Sequence, residues 1–255
     1  MIAQITLRLV AGMSLTWCLM PRRDVTSGYF RIQMLAVLGL ATLAALTVPA
    51  GESVEPTLLS AGWLKAVAVG VAVLSFVGSV MWTLERRRAG TVLAFAVALL
   101  ATVSVIGFVP HRYAGLSMES AHAGLSAVSS AWLIGGSVST MLLGHWYLTA
   151  TSMSTEPLKR LNVLLGVAVL VRSVLSLYGV SLLSAGELGP VEWTWLAVRW
   201  LGGLLGVLVM TVLTARILKY RNTQSATGVL FAAVILAFMG EATGLLLDRE
   251  LHVPL

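Results

Sequence analysis

Apolar residues occur in eight long runs that are separated by short polar connections. The runs cover approximately residues 2–20, 30–49, 62–84, 90–109, 120–148, 158–183, 193–216 and 226–247. An α-helix needs about 20 apolar residues to cross a hydrocarbon core roughly 30 Å thick, and each run is about that long or longer. The pattern predicts an all-α integral membrane protein with eight transmembrane helices, which has the lipid bilayer as its surroundings.

The composition excludes a soluble globular protein. Hydrophobic residues make up 58% of the 255 residues and charged residues only 11%, whereas soluble domains carry roughly 25% charged residues. The formal net charge of +6 resides in short loops instead of one basic face with aromatics, so no nucleic acid partner is expected. A single cysteine, Cys18, excludes an internal disulfide and a multi-cysteine metal site. No metal site is predicted.

The loops between the runs predict the orientation in the membrane. The odd-numbered loops hold eleven of the 17 bases: Arg22, Arg23, Arg31, Arg86, Arg87, Arg88, Lys159, Arg160, Arg216, Lys219 and Arg221. The opposite side carries most of the acids: Glu52, Glu55, Glu119, Glu187, Glu192, Asp248 and Glu250. By the positive-inside rule the odd loops are cytoplasmic and both termini lie outside, as in a bacterial-type inner membrane protein. Tryptophans at the predicted helix ends fit a position at the lipid headgroups: Trp17, Trp82 and Trp146 inside, Trp63, Trp193 and Trp195 outside.

The two halves of the chain resemble one another. A shift of 129 residues aligns LTWCLM (15–20) with GHWYLT (144–149), and a shift of 137 aligns AGTVLAFAV (89–97) with ATGVLFAAV (226–234). The halves, residues 1–115 and 116–255, are therefore predicted to be two four-helix bundles in a parallel repeat, since four helices return the chain to the same side. Chance similarity between apolar helices is the alternative explanation.

Four ionisable residues lie inside the predicted runs: Arg8, Arg172, Arg199 and Glu241. A rise of 1.5 Å per residue places all four in the outer third of the membrane. A charge in hydrocarbon costs at least a few kcal/mol, so such residues are functional candidates whose partners must be found. Glu241 lies between Gly240 and Gly244. Small residues at this spacing let neighbouring helices approach closely.

Two interpretations of these charges are open. One is a structural Arg–Glu clamp that locks the C-terminal bundle. The other is a polar pocket that opens outward, in which Glu241 accepts a proton and Arg172, Arg199 and Arg8 bind an anionic group or polarise a quinone carbonyl. The shift of 137 residues aligns Glu241 with Ser104, so any site is predicted in the C-terminal half.

A second candidate group is His145, Trp146 and Tyr147, near the inner end of the fifth run. A histidine there can shuttle a proton or hydrogen-bond a quinone, although this triplet is also typical of an interfacial aromatic belt. A haem held by two histidines is disfavoured, because the other three histidines fall on the predicted outer side: His111, His122 and His252. No sequence motif of a soluble-type active site is present, so it stays open whether the protein is an enzyme.

The layout of eight helices, external termini and a parallel four-plus-four repeat resembles membrane anchor subunits of the polysulphide and dimethyl-sulphoxide reductase type. The resemblance concerns architecture alone, since no family motif is matched. It implies a quinone as the ligand, a pocket near the outer face, and partner subunits there that exchange electrons with the quinone. A small proton-coupled transporter and a noncatalytic scaffold that docks a partner protein are the alternatives. A carrier is less favoured because no run is clearly interrupted at its middle by glycine or proline.

Overall fold

The structure, a computed structural model, describes residues 1–48, 56–115, 117–150, 153–183 and 188–255. Eight helices in these ranges are long and apolar enough to cross a membrane: α1 Ile2–Leu19, α2 Ser27–Thr47, α3 Ala61–Thr83, α4 Arg87–Gly107, α5 Met118–Trp146, α6 Glu156–Ser181, α7 Pro190–Lys219 and α8 Thr223–Leu251. The predicted all-α fold with eight membrane-spanning helices is confirmed. Three acids used to predict the orientation lie outside the described residues: Glu52, Glu55 and Glu187.

Local sequence signals fix several helix ends. The Ser60 side chain accepts a hydrogen bond from the Trp63 N–H at the start of α3, and the Asn222 side chain accepts one from the Ser225 N–H at the start of α8. These side chains satisfy backbone donors that lack a partner within the first turn. At the other end, α8 stops at His252, whose φ of 57° is left-handed. The chain therefore reverses after α8.

The outward surface of the helices is apolar, while small residues fill much of the interior. Val92, Leu99, Val174 and Ile235 are each about two-thirds exposed. Alanine, glycine and serine are frequent among the buried positions. Membrane helices show this arrangement because lipid tails accept large apolar side chains, and small residues let backbones approach closely. The surface thus fits a lipid bilayer.

The first compact unit comprises Met1–Gly135. In it α1 packs on α2 and α4, and α3 packs on the same two helices, which closes a four-helix ring. The beginning of α5 joins this unit through α1. A Cβ atom at Gly12 would overlap the backbone of Ala131, and one at Gly135 would overlap the backbone of Gly12. The backbones of α1 and α5 therefore touch.

Two tryptophans of this unit depart from the expected interfacial position. Trp17 and Trp82 lie near helix ends, yet both are almost fully buried. Trp82 stacks on Phe30 with ring centroids 4.5 Å apart, and a Cβ at Gly90 would collide with its ring. These two rings pack inside the protein because neighbouring helices offer matching surfaces, so they are core residues and provide no support for an aromatic belt.

The second compact unit comprises Gly136–Leu255. It holds the remainder of α5 together with α6, α7 and α8. In it α7 packs on α6 and α8, and Gly144 of α5 contacts Thr227 of α8. The division between the two units falls inside α5, so α5 contributes residues to both. The predicted bundles, residues 1–115 and 116–255, and their parallel repeat stay predictions.

Candidate buried ion-pair site

Arg172 of α6 and Glu241 of α8 form a two-point ion pair inside the second unit. Arg172 Nε donates to Glu241 Oε1, and Arg172 Nη2 donates to Oε2, each over 2.9 Å. The two side chains are 1% and 5% exposed. Parallel N–H···O bonds between a guanidinium and a carboxylate are the geometrically most specific form of ion pair. Arg172 is thus a partner of the kind expected for a buried Glu241.

Arg199 of α7 joins the pair from the side and is fully buried. Its Nη1 lies 3.8 Å from Glu241 Oε1 and donates to the Gly240 carbonyl over 3.3 Å. Its Nε donates to Ser176 Oγ over 3.1 Å. The structure therefore brings together three of the four charges predicted to share one level: Arg172, Arg199 and Glu241. Ser176 completes the group one turn beyond Arg172.

Glycines create the room in which these groups meet. A Cβ atom at Gly203 would overlap the backbone of Gly240, and the reverse also holds, so α7 and α8 touch at this level. A Cβ at Gly244 would overlap Arg199 Nη1. The Gly240 and Gly244 spacing in the sequence therefore serves two purposes. Gly240 permits backbone contact, and Gly244 accommodates the guanidinium.

Helix α7 is not a regular α-helix where it carries Arg199. It is α-helical over Pro190–Ala197 and Val207–Lys219 but π-helical over Val198–Gly206. π segments are rare and frequently occur at functional sites. The helix continues through this stretch without a break. Three glycines, Gly202, Gly203 and Gly206, weaken the α-helical preference there.

The chain after α8 folds back over the ion pair. The Leu255 backbone oxygen accepts a hydrogen bond from Arg172 Nη2 over 2.6 Å, and the Leu255 N–H donates to Asp248 Oδ1 over 2.6 Å. The Leu255 side chain is fully buried with Leu196 and Leu247. Arg172 thus donates to one oxygen that comes from outside the helices.

Residues 252–255 cover Arg172, and this part of the site was not predicted from the sequence. The interactions of Arg172 with Leu255, and of Leu255 with Asp248, depend on a reversal at His252 that periodicity does not predict. The available signal was the apolar stretch Val253-Pro254-Leu255, which follows the charged residues Asp248, Arg249 and Glu250 after Leu251 and His252.

Arg8 belongs to the first unit. It is 7% exposed, and its Nη1 donates to Ser130 Oγ over 2.9 Å. Ser130 is itself buried on α5. Arg8 therefore has a partner within its own unit, and its predicted role beside Glu241 stays a prediction. Ser104, which the repeat aligns with Glu241, donates within its own helix to the Ala101 carbonyl.

The predicted group His145, Trp146 and Tyr147 is spread over three environments. His145 is exposed and Trp146 is half-buried, while Tyr147 is buried and its hydroxyl donates to the Ser154 carbonyl. Among the described residues, no three of His, Cys, Asp and Glu lie close enough together to hold a metal ion. The role predicted for the triplet stays a prediction.

The buried ion-pair site has the chemistry to present guanidinium N–H groups to an oxygen acceptor in a region of low dielectric. There such contacts are stronger than in water. Both Glu241 oxygens already face a guanidinium, so proton uptake by Glu241 requires one of these contacts to open. A ligand that approaches Arg172 from the C-terminal end of α8 can reach it only after Leu255 has moved away from Arg172. No family model, curated protein or solved structure matches the chain.

Proposed function

We propose that this polytopic membrane protein is a quinone-interacting subunit of a membrane redox complex, and that Arg172, Arg199 and Glu241 form its headgroup site. One observation supports the proposal above the others. Arg172 donates to the Leu255 backbone oxygen, an acceptor supplied by a short segment and not by a helix. A quinone carbonyl is also an oxygen acceptor, so it would take the place of the Leu255 oxygen on Arg172 while the two contacts of Arg172 with Glu241 stay.

The roles follow from the donors and acceptors. Arg172 would donate to one quinone carbonyl once Leu255 has moved. Arg199, held by Ser176 and the Gly240 carbonyl, would keep its guanidinium fixed beside Glu241. Oxidation of a quinol releases two electrons and two protons. The electrons would pass to a partner subunit at the predicted outer face, Glu241 would accept one proton, and the other would pass to water at the predicted outer side.

The first test extracts quinones from the protein after purification in mild detergent. The unaltered protein should contain quinone, and Arg199→Gln should lose it, because the site loses a charged donor but keeps its acid. Arg160→Gln is the matched control, since Arg160 is an exposed base at the beginning of α6. Absence of quinone from the unaltered protein argues against the proposal.

The second test concerns Glu241 in the membrane complex. Glu241→Gln should assemble with its partner subunits but fail to oxidise quinol, because an amide takes up no proton. Normal turnover in this variant would exclude the proton role. In proteoliposomes, a pH-dependent flux of a solute that requires Glu241 would instead favour a proton-coupled carrier.

The proposal includes the predicted orientation, in which the loops after α1, α3, α5 and α7 face the cytoplasm. It is supported by the uneven distribution of bases among the loops. In a Cys18→Ala background, a membrane-impermeant maleimide added to intact cells should label Glu119→Cys in the first turn of α5 and spare Arg160→Cys in α6. The opposite labelling pattern would reverse the orientation.

A noncatalytic scaffold is the second candidate, and the closed state of the ion pair favours it. Both oxygens of Glu241 face arginine, and the two side chains are almost fully buried. If the pair only locks the fold, Arg172→Glu combined with Glu241→Arg should restore stability and partner docking, and no ligand should copurify. Restored folding together with lost quinone binding would support the quinone site.

A further inference from the structure

A cavity of about 580 Å³ lies in the second unit, far along the helices from the buried ion pair. It is lined by Tyr147, Met153, Ser154, Thr155, Glu156, Lys159, Arg221 and Thr223. Along α6, Lys159 precedes Arg172 by a helical length of about 20 Å. The two sites are therefore separate, and the function proposed for the ion pair makes no use of this cavity.

The charges that line the cavity favour an anion. Lys159 and Arg221 are basic, and Glu156 is the single acid in the lining. Lys159 Nζ lies 3.7 Å from Glu156 Oε2, with the side chains 46% and 73% exposed. An ion pair this accessible to water contributes little, so Glu156 neutralises Lys159 only weakly. Among the described residues, the Arg221 guanidinium has no hydrogen-bond or ion-pair partner.

The ends of two helices add to this positive potential. α6 begins at Glu156 and α8 begins at Thr223, and both residues line the cavity. A helix N-terminus carries a partial positive charge. Ser154 and Asn222 satisfy one N–H of each first turn, so the helix ends supply a field, while the direct ligands would be the two basic side chains.

The position of the cavity indicates the source of the anion. The ends of helices that cross a hydrocarbon core lie at the level of the lipid headgroups. Leu148 and Tyr220, next to residues of the cavity in sequence, are exposed and are suited to the adjoining acyl region. Basic pockets between membrane helices are known to bind anionic lipid headgroups. We propose that this cavity binds the phosphate group of an anionic membrane lipid, with Lys159 and Arg221 as its ligands.

The test measures lipid binding to the full chain by native mass spectrometry in mild detergent. The probe is dioleoylphosphatidylglycerol, and dioleoylphosphatidylcholine, which has a phosphate but no net charge, is the lipid control. The cavity variant is Lys159→Gln with Arg221→Asn. Asparagine is chosen because Arg221 has a φ of 56°, a conformation that asparagine tolerates. The matched variant, Arg160→Gln with Lys219→Gln, removes two exposed bases that lie close in sequence to Lys159 and Arg221 but outside the cavity lining.

Phosphatidylglycerol should bind about tenfold more weakly to the cavity variant and nearly unchanged to the matched variant. Equal weakening in both variants would show diffuse attraction and overturn the proposal, as would unchanged binding in both. Inorganic phosphate at millimolar concentration tests a soluble anion. Binding of inorganic phosphate to the cavity without binding of phosphatidylglycerol would also overturn the lipid assignment.

Folding is checked in the same samples. All four substituted side chains are exposed, so the thermal unfolding midpoint without lipid should match that of the unaltered protein. Added phosphatidylglycerol should raise the midpoint of the unaltered protein and of the matched variant, because ligands stabilise the state that they bind. No rise is expected for the cavity variant. A rise of equal size in all three proteins would contradict the site.

Discussion

Arg172 and Glu241, 69 residues apart in the sequence, meet through two N–H···O contacts of 2.9 Å in the interior of the second unit. Neither helix can keep its charge in hydrocarbon without the other, since an isolated buried charge is costly. The ion pair therefore couples the folding of α6 to that of α8. It also gives the most direct prediction about stability.

Arg172→Gln should lower the free energy of unfolding by about 3–5 kcal/mol, because it leaves Glu241 buried with only the longer contact to Arg199. Glu241→Gln should also destabilise, and the double variant should lose less than the sum of the two single losses. Chemical or thermal unfolding in detergent provides the measurement. Arg160→Gln, at an exposed position, should have almost no effect. Additive losses would show that the two residues do not interact.

Gly203→Ala should destabilise the second unit by about 1–3 kcal/mol, because the new methyl group would collide with the backbone of Gly240. Gly228→Ala in α8 is the matched control, since a Cβ there meets no atom within 4 Å. Alanine is a better helix former than glycine, so Gly228→Ala should be neutral or slightly stabilising in thermal unfolding. A tolerated Gly203→Ala would mean that α7 and α8 can separate at little cost.

Gly244→Ala should act through Arg199, whose Nη1 occupies the space that the methyl group would need. In the unaltered background it should lower the unfolding midpoint and displace the guanidinium from the Gly240 carbonyl. In an Arg199→Ala background the same substitution should cost much less, because the space is then vacant. The cycle is measured by unfolding of the four proteins. An equal cost in both backgrounds would assign the effect to some other contact.

Asp248→Ala should loosen residues 252–255, which cover Arg172, since the Leu255 N–H loses its acceptor. Hydrogen exchange followed by mass spectrometry should show faster exchange in residues 252–255, with α6 and α8 little changed. Glu250→Ala is the control, because the Glu250 side chain is exposed two residues farther along. Unchanged exchange at residues 252–255 would show that burial of the Leu255 side chain holds the segment without help from Asp248.

Residue pattern alone predicts the eight helices and the convergence of Arg172, Arg199 and Glu241, because both follow from helix length, rise per residue and the cost of a charge in lipid. Arg8 has the same predicted depth, yet it is bound by Ser130 in the other unit. Counting residues along a helix gives the depth of a side chain in the membrane, but it does not show which helices are neighbours.

The features that the pattern misses depend on tertiary packing. Trp17 and Trp82 have the residue type and the position near helix ends that are typical of the membrane interface. They are buried because other helices pack around them. The reversal at His252 involves one residue with left-handed φ, which hydropathy does not register. The π segment of α7 contains Gly203, which lies against the backbone of Gly240.

The π segment changes the sequence spacing between buried positions, and between exposed positions, along this part of α7. Buried positions recur every four residues at Arg199, Gly203, Val207 and Thr211, and exposed positions do the same at Leu201, Leu205, Val209 and Leu213. A regular helix, with 3.6 residues per turn, would drift by more than 90° over these three steps. The reactivity of cysteines placed one at a time at residues 199–213 is therefore expected to vary with a period of four, so a helical wheel drawn at 100° per residue would misassign the lipid side of this part of α7.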